Sequence, residues 1–196
     1  MIAIIFAHPS HDSFNYAILR TVTDKLNAEG REYQVIDLYA DRFDPVMNVG
    51  DLTHYESGGT ESERISMYQD ILSKSTVVFF IFPIWWGEAP AILKGFFDKV
   101  MQPGIAYHIG EDAIIPGLSV TRTVIITTSE AQSVIFSSYI EGFFIPYTLA
   151  TIGLTGAEWY NCEDADTGSR NHREAFRVSV KTRLLKYAQR YVTLGI

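Results

Sequence analysis

The sequence predicts an α/β protein of three layers: an open, doubly wound sheet of five parallel strands in the order 2-1-3-4-5, with helices on both faces. Three observations carry this. Strand and helix patterns alternate five times along 196 residues, and parallel strands need crossover connections of this kind. Two runs, Val77–Phe82 and Thr123–Thr128, are β-branched or aromatic at every position, as in strands covered on both sides. No sixth strand is present to close a barrel, which leaves the open order common at this length. The 47% hydrophobic and 20% charged content suits one domain spanning residues 1–196.

The elements follow in order. Ile2–Ala7 is the first strand, and His8–Ser13 a polar loop. Phe14–Glu29 is a helix with Ile18, Leu19, Val22 and Leu26 at helical spacing, capped by Asp12 or Ser13 and ended by Gly30. Arg31–Leu38 is a short strand, and Tyr39–Gly59 a long irregular excursion. Thr60-Glu61-Ser62-Glu63 matches a capping box ahead of a helix with Ile65, Tyr68, Ile71 and Leu72 on its buried stripe. The Val77–Phe82 strand then runs into Pro83–Glu88. The next helix starts after Pro90 and carries Ile92, Leu93, Phe96, Phe97, Val100 and Met101; Pro103-Gly104 stops it. A loop is expected over Pro103–Thr121, then the strand Thr123–Thr128. Gly142 and Pro146 interrupt Ser129–Gly153, predicting a loop or broken helix, then a short helix from about Pro146 that Gly153 stops. Gly156–Tyr160 is a fifth strand, and from Asn171 the residues Phe176, Val180, Leu184, Tyr187 and Tyr191 mark a closing helix.

Net charge −7 and a pI near 5.2 disfavour nucleic acid and anionic membranes as partners, because both repel such a field. Cys162 is the only cysteine, which excludes an intrachain disulfide and a cysteine-rich zinc site. The apolar start is short and lacks a basic leader, so it reads as a strand, and no run approaches the ~20 apolar residues of a membrane span. A cytoplasmic protein without an integral membrane segment is expected. Motifs for a Rossmann dinucleotide site, a P-loop and a nucleophile elbow are absent.

In this strand order the chain reverses between the first and third strands, so His8–Ser13 and Pro83–Gly87 should converge on one ligand, with Thr127–Glu130 alongside. His8, Ser13, Phe14 and Asn15 stand at a helix start whose free amides attract a phosphate or pyrophosphate. Trp85 and Trp86, just past a buried strand, suit a flat aromatic ligand such as a flavin. The backbone amides from Ile84 to Gly87 can donate to ring acceptors that gain charge on reduction, and Thr127, Thr128 and Ser129 can donate at the far edge. Each feature also has an ordinary structural reading: a helix cap, a packed indole, threonines at a strand end. His8 and His11 lack a third convergent ligand, so no metal is expected. Glu130, Glu141, His54 and His172 read as solvated or locally satisfied.

Taken together, His8 with Ser13-Phe14-Asn15-Tyr16-Ala17, Asp37-Leu38-Tyr39, Phe43–Pro45, Phe82-Pro83-x-x-Trp86, Pro90–Phe96, Ala106-Tyr107 and Thr127-Thr128 resemble the flavodoxin-like NAD(P)H:quinone oxidoreductase family, which includes DT-diaphorase and the modulator of drug activity B. The resemblance spans nearly the whole chain. It implies a tightly held flavin, FAD or alternatively FMN, with His8, Ser13, Phe14 and Asn15 near its phosphates. Pro83, Ile84, Trp85, Trp86 and Gly87 would lie against the isoalloxazine, and Thr127, Thr128 and Ser129 at its pyrimidine edge. It also implies a homodimer in which Tyr107 closes the partner's substrate pocket. The implied reaction is ping-pong: hydride passes from NAD(P)H through flavin N5 to a quinone, azo or nitro acceptor. Similar proteins also serve as regulatory flavoprotein subunits of ion-efflux systems, which is the alternative role. One departure stands out. Where the DT-diaphorase branch continues with two glycines and a tyrosine–histidine relay, this chain has Ser129-Glu130, with Ile135 and Glu141 at the relay positions; nearby Tyr139 is the candidate substitute.

Overall fold

The apolar runs pair side by side in the computed structural model, which describes residues 1–57 and 59–192, with side chains up to residue 183 except those of 56 and 57. Strands β1 (Ile2–Phe6), β2 (Tyr33–Asp37), β3 (Val77–Pro83), β6 (Arg122–Thr128) and β7 (Ala157–Cys162) form one parallel sheet in the order β2-β1-β3-β6-β7. The two strands that interrupt the count, β4 (Tyr107–Ile109) and β5 (Ile114–Pro116), form a separate antiparallel hairpin. Counted within the sheet alone, the order is 2-1-3-4-5. Helices α1 (Phe14–Ala28) and α6 (Arg170–Val192) cover one face, where Ile18, Val22 and Leu26 join Ile4, Phe6, Phe79, Ile81 and Ile126 in one core. On the other face α3 (Glu63–Ser73) and α4 (Ala91–Val100) pack over Ile5, Phe80, Phe82 and Ile125. Each such buried side chain contributes about 1.5–3 kcal/mol, so the central strands are the most secure part of the site's platform.

Several expectations need correction. The excursion after β2 is not wholly irregular: α2 (Val49–Ser57) lies within it. Its start is fixed by a reciprocal cap, in which the Asp51 amide donates to Asn48 Oδ1 and the Asn48 amide to Asp51 Oδ2, both at 3.0 Å. The cap of α3 is Ser62 rather than Thr60; Thr60 Oγ1 instead accepts from the Ser62 amide. The stretch after β6 does not break at Gly142 or Pro146. Helix α5 (Ser133–Tyr139) continues into a π-helical run, Ile140–Leu149, and a 3₁₀ turn, Ala150–Ile152, before Gly153 ends it with φ of 87°. A helix bonded five residues back takes up the interruption at Pro146, which would kink a regular α-helix. The expected loop before β6 contains the β4–β5 hairpin. Leu184, Tyr187 and Tyr191 of the closing stripe lie outside the described side chains.

Two contacts hold the excursion against α4. Gly95 faces Pro45 so closely that a Cβ added there would stand 2.3 Å from Pro45 Cβ and from its carbonyl oxygen. Lys99 is buried and its ammonium donates to Val46 O at 3.0 Å and to Asp51 Oδ2 at 2.9 Å. Among the described residues no helix is long and apolar enough to cross a membrane.

Candidate active site

The loops after β1, β3 and β6 meet at the carboxyl ends of adjacent strands, the crevice where open α/β sheets bind ligands. In the first loop Ser13 caps α1, its Oγ accepting from the Tyr16 amide at 3.1 Å. The amides of Phe14 and Asn15 make no hydrogen bond among the described residues, leaving them for an anion at the helix start. The Ser10 amide donates to His8 Nδ1 at 3.0 Å, and burial pushes the His8 pKa below its usual value. The imidazole is therefore neutral at pH 7, and its Nδ1 also lies 3.1 Å from the Ser10 carbonyl oxygen. Asn15 Nδ2 donates to Thr128 Oγ1 at 2.8 Å, tying the first loop to the third, while Asn15 Oδ1 is buried without a donor. A cavity of about 560 Å³ gathers His8, Ser13, Phe14, Asn15 and Thr128 with Arg173, a residue the sequence did not signal. Arg173 steadies the cavity wall, donating to the carbonyls of Ala165, Asp166 and Gly168.

His11 stands apart from this cavity. It stacks on Tyr16 at 4.4 Å and meets Asp37 Oδ2 at 2.7 Å, joining the loop to the end of β2. Among the described residues no group of three or more His, Cys, Asp or Glu converges to hold a metal.

The second loop is a tight reversal. Trp85 and Glu88 exchange backbone hydrogen bonds of 3.0 and 3.2 Å, and between them Trp86 and Gly87 have φ of 52° and 85°. Two successive positive φ values make a type I′ turn, a geometry that suits glycine but strains an aromatic residue. The Trp86 side chain is fully exposed and Trp85 partly so, with the Trp85 ring 6.1 Å from that of His8. Not all of the expected amide donors are free. The Ile84 amide donates to Thr128 O at 2.8 Å and that of Trp85 is used in the turn, leaving those of Trp86 and Gly87.

The left-handed Trp86 gives a direct test. Trp86→Gly should raise the unfolding free energy of the ligand-free protein by about 1 kcal/mol, the released strain exceeding the added chain entropy. An unchanged or lower denaturation midpoint would show that the turn holds no strain.

Of Thr127, Thr128 and Ser129, only Thr128 lines this cavity. Thr127 Oγ1 accepts from Trp159 Nε1 and donates to Asn161 Oδ1, both at 2.8 Å, and Ser129 Oγ donates to Ala131 O at 2.7 Å. Strand alternation separates them: Thr127 and Ser129 point to the opposite face from Thr128. Glu130 also acts locally, accepting from the Asp166 and Thr167 amides, which hold its pKa below the usual carboxylate value.

A second, apolar cavity of about 990 Å³ begins at Glu88 and Ala89, directly after the turn, and holds Tyr55, Tyr107, Tyr139 and Phe144. Tyr139 Oη accepts weakly from the Ala89 amide at 3.4 Å, its ring stacks on Phe144, and burial raises its pKa, so it stays protonated at neutral pH. Tyr107 shares a hydroxyl hydrogen bond of 2.7 Å with Tyr55, which α2 contributes. With α2 unread in the sequence, Tyr55 carried no signal.

A polar cradle at a helix start, an aromatic turn and an apolar cavity thus border the switch point of a doubly wound sheet. The profile of a family described as having a flavodoxin-like fold matches residues 1–187, and the chain belongs to that family. It is 35% identical over 120 residues to rat (Rattus norvegicus) NAD(P)H dehydrogenase (quinone) 1, covering 53% of this chain and 44% of that protein. It is 32% identical over 111 residues to the uncharacterized NAD(P)H oxidoreductase YcaK of Escherichia coli, covering 56% of each. The chain thus spans about half the length of these curated relatives. The crystal structure of Smu.1420 from Streptococcus mutans superposes with a TM-score of 0.81 at 28% identity, covering 92% of this chain and 96% of that one.

Proposed function

We propose that the chain is a flavin-dependent NAD(P)H oxidoreductase that reduces quinones or similar azo and nitro acceptors by two electrons in a ping-pong cycle. The observation that carries this is the strained Trp86–Gly87 turn: two unused amides and an exposed indole stand on one side of the crevice, facing the anion cradle of α1 on the other. The residues fit the cofactor. The free Phe14 and Asn15 amides suit a phosphate, and the buried, donor-less Asn15 Oδ1 suits a hydroxyl of a ribityl chain. When bound, the flavin supplies acceptance of a hydride from NAD(P)H and its delivery to the acceptor.

The protein's own part is to bind, orient and hold protons. Trp86 and Gly87 amides donate to the ring; Trp85 and Trp86 present aromatic surface to it. The apolar cavity excludes water and seats the second substrate between Tyr107, Tyr139 and Phe144, with the Tyr139 hydroxyl as donor. FAD is the proposed flavin, on the sequence resemblance. A homodimer is proposed because Ile109, Ile114, Phe143, Tyr147 and Trp86 are exposed, and three of these line the apolar cavity. We place it in the cytoplasm as one domain.

Purification of a yellow protein whose absorbance bleaches anaerobically with NADH or NADPH is the expected result, and acid release followed by chromatography separates FAD from FMN. A colourless protein that takes up neither added flavin sinks the proposal. Negligible turnover with every acceptor, together with a stable membrane partner, would assign the flavin a regulatory role instead. Tyr139→Phe should slow reduction by NAD(P)H roughly tenfold in single-turnover experiments, the effect of one lost hydrogen bond to developing charge; an unchanged rate would remove Tyr139 from the reaction.

A further inference from the structure

The loop Ser129–Gln132 follows β6, whose last residue, Thr128, accepts at its carbonyl from the Ile84 amide just ahead of the Trp86 turn. Its amides at Glu130, Ala131 and Gln132 make no hydrogen bond among the described residues, yet the loop is braced from behind. Asn161, on the neighbouring strand β7, is the centre of that bracing. Its Oδ1 accepts from Thr127 Oγ1 at 2.8 Å, and its Nδ2 donates to Ser129 Oγ at 2.8 Å and to Ser133 Oγ at 3.1 Å. The chain of hydrogen bonds has one direction throughout. Trp159 Nε1–H donates to Thr127, Thr127 to Asn161, Asn161 to Ser129, and Ser129 to the carbonyl of Ala131 inside the loop. With Thr127 committed as both donor and acceptor, no hydroxyl is left to reorient, and such directional chains rigidify what they hold. The end of β7 and the residue after it add to the frame: Cys162 O accepts from the Ser129 amide at 2.9 Å, and Glu163 Oε1 from the Ser133 amide at 2.8 Å.

We propose that Asn161 is a positioning residue that sets where the Glu130–Gln132 amides stand relative to the bound flavin, acting through Ser129 and Thr127 without touching the cofactor. The inference rests on the flavin reading above. It also assigns a task to Thr127 and Ser129, whose hydroxyls do not face the crevice. Donors held in place favour the reduced, more negative ring over the oxidised one, so loosening them weakens binding of the two forms unequally.

The test compares wild-type protein with Asn161→Ala and Ser129→Ala, measuring dissociation constants for oxidised flavin by fluorescence and the midpoint potential of the bound flavin. Asn161→Ala should weaken oxidised flavin ~3-fold and reduced flavin ~30-fold. That tenfold difference lowers the midpoint potential by about 30 mV for a two-electron couple. Ser129→Ala, which deletes the last two bonds of the chain and leaves the strands untouched, should shift the potential in the same direction by less, and carries the test if Asn161→Ala does not fold. A potential unchanged in both variants, with oxidised and reduced forms weakened equally or not at all, overturns the role of Asn161. Wild-type protein that binds no flavin overturns the functional reading instead, and with it this inference.

Discussion

Gly95→Ala should lower the unfolding free energy by about 2 kcal/mol, although alanine is the better helix former. In an open helix the change would gain about 1 kcal/mol. Here the new methyl carbon meets Pro45 Cβ and carbonyl oxygen at 2.3 Å and Pro45 Cα at 2.5 Å, and these belong to a backbone segment that cannot turn aside as a flexible side chain does. Overpacking of this kind costs about 3 kcal/mol at the upper end of its usual range, which exceeds the helical gain. Urea denaturation reads the result, and a midpoint at or above wild type would mean that Pro45 gives way freely. The effect also extends to the apolar cavity, because Pro45 leads into α2 and so to the Tyr55–Tyr107 hydrogen bond.

Lys99→Met should cost about 3 kcal/mol while keeping the packed stem. The ammonium is buried and its partners, Asp51 and the Val46 carbonyl, both lose a donor. Breaking a buried pair from one side costs ~3–5 kcal/mol, and the lower end applies because Asp51 is partly open to water. Adding Asp51→Asn to Lys99→Met should recover part of the loss, since the uncompensated charge is then gone; two independent, additive losses would contradict this. Acid titration gives a second reading. Burial pushes the Asp51 pKa up, but the Lys99 ammonium and the Asn48 amide outweigh it and hold the carboxyl below its usual value. The stability this contributes is complete above the unfolded value near ~4 and is lost as pH falls through the lowered folded value. The wild type should therefore lose more of its stability than Lys99→Met in that window.

The sheet was legible because its signal is local: strands such as Val77–Phe82, buried on both faces, must be apolar at every position, and the switch point follows from their order. His8, Ser13 and Asn15 were legible for a related reason, since helix starts have a fixed chemistry. The commitments of polar groups to one another were not legible. Thr127 and Ser129 stand at the right strand end, but Asn161 and Trp159, more than thirty residues away, occupy their hydroxyls. The amides of Ile84 and Trp85 are likewise taken by partners that the backbone path alone determines. Helix α2 was missed despite its Asn48–Asp51 cap because Pro45, Gly50 and a paired glycine at its end outweighed a short and weakly amphipathic stretch. At Pro146 the usual rule that proline breaks a helix failed because the helix there is wider than the one for which the rule was framed.

The exposed indole of Trp86 has a practical consequence. The chain has three tryptophans, and Trp159 is fixed by its hydrogen bond to Thr127, whereas Trp86 stands in water at the mouth of the crevice. Its emission should respond to anything that settles on the turn, before any reaction is measured. The protein thus carries its own optical gauge of occupancy, and Trp86→Phe separates the share of Trp86 from that of the half-exposed Trp85 beside it.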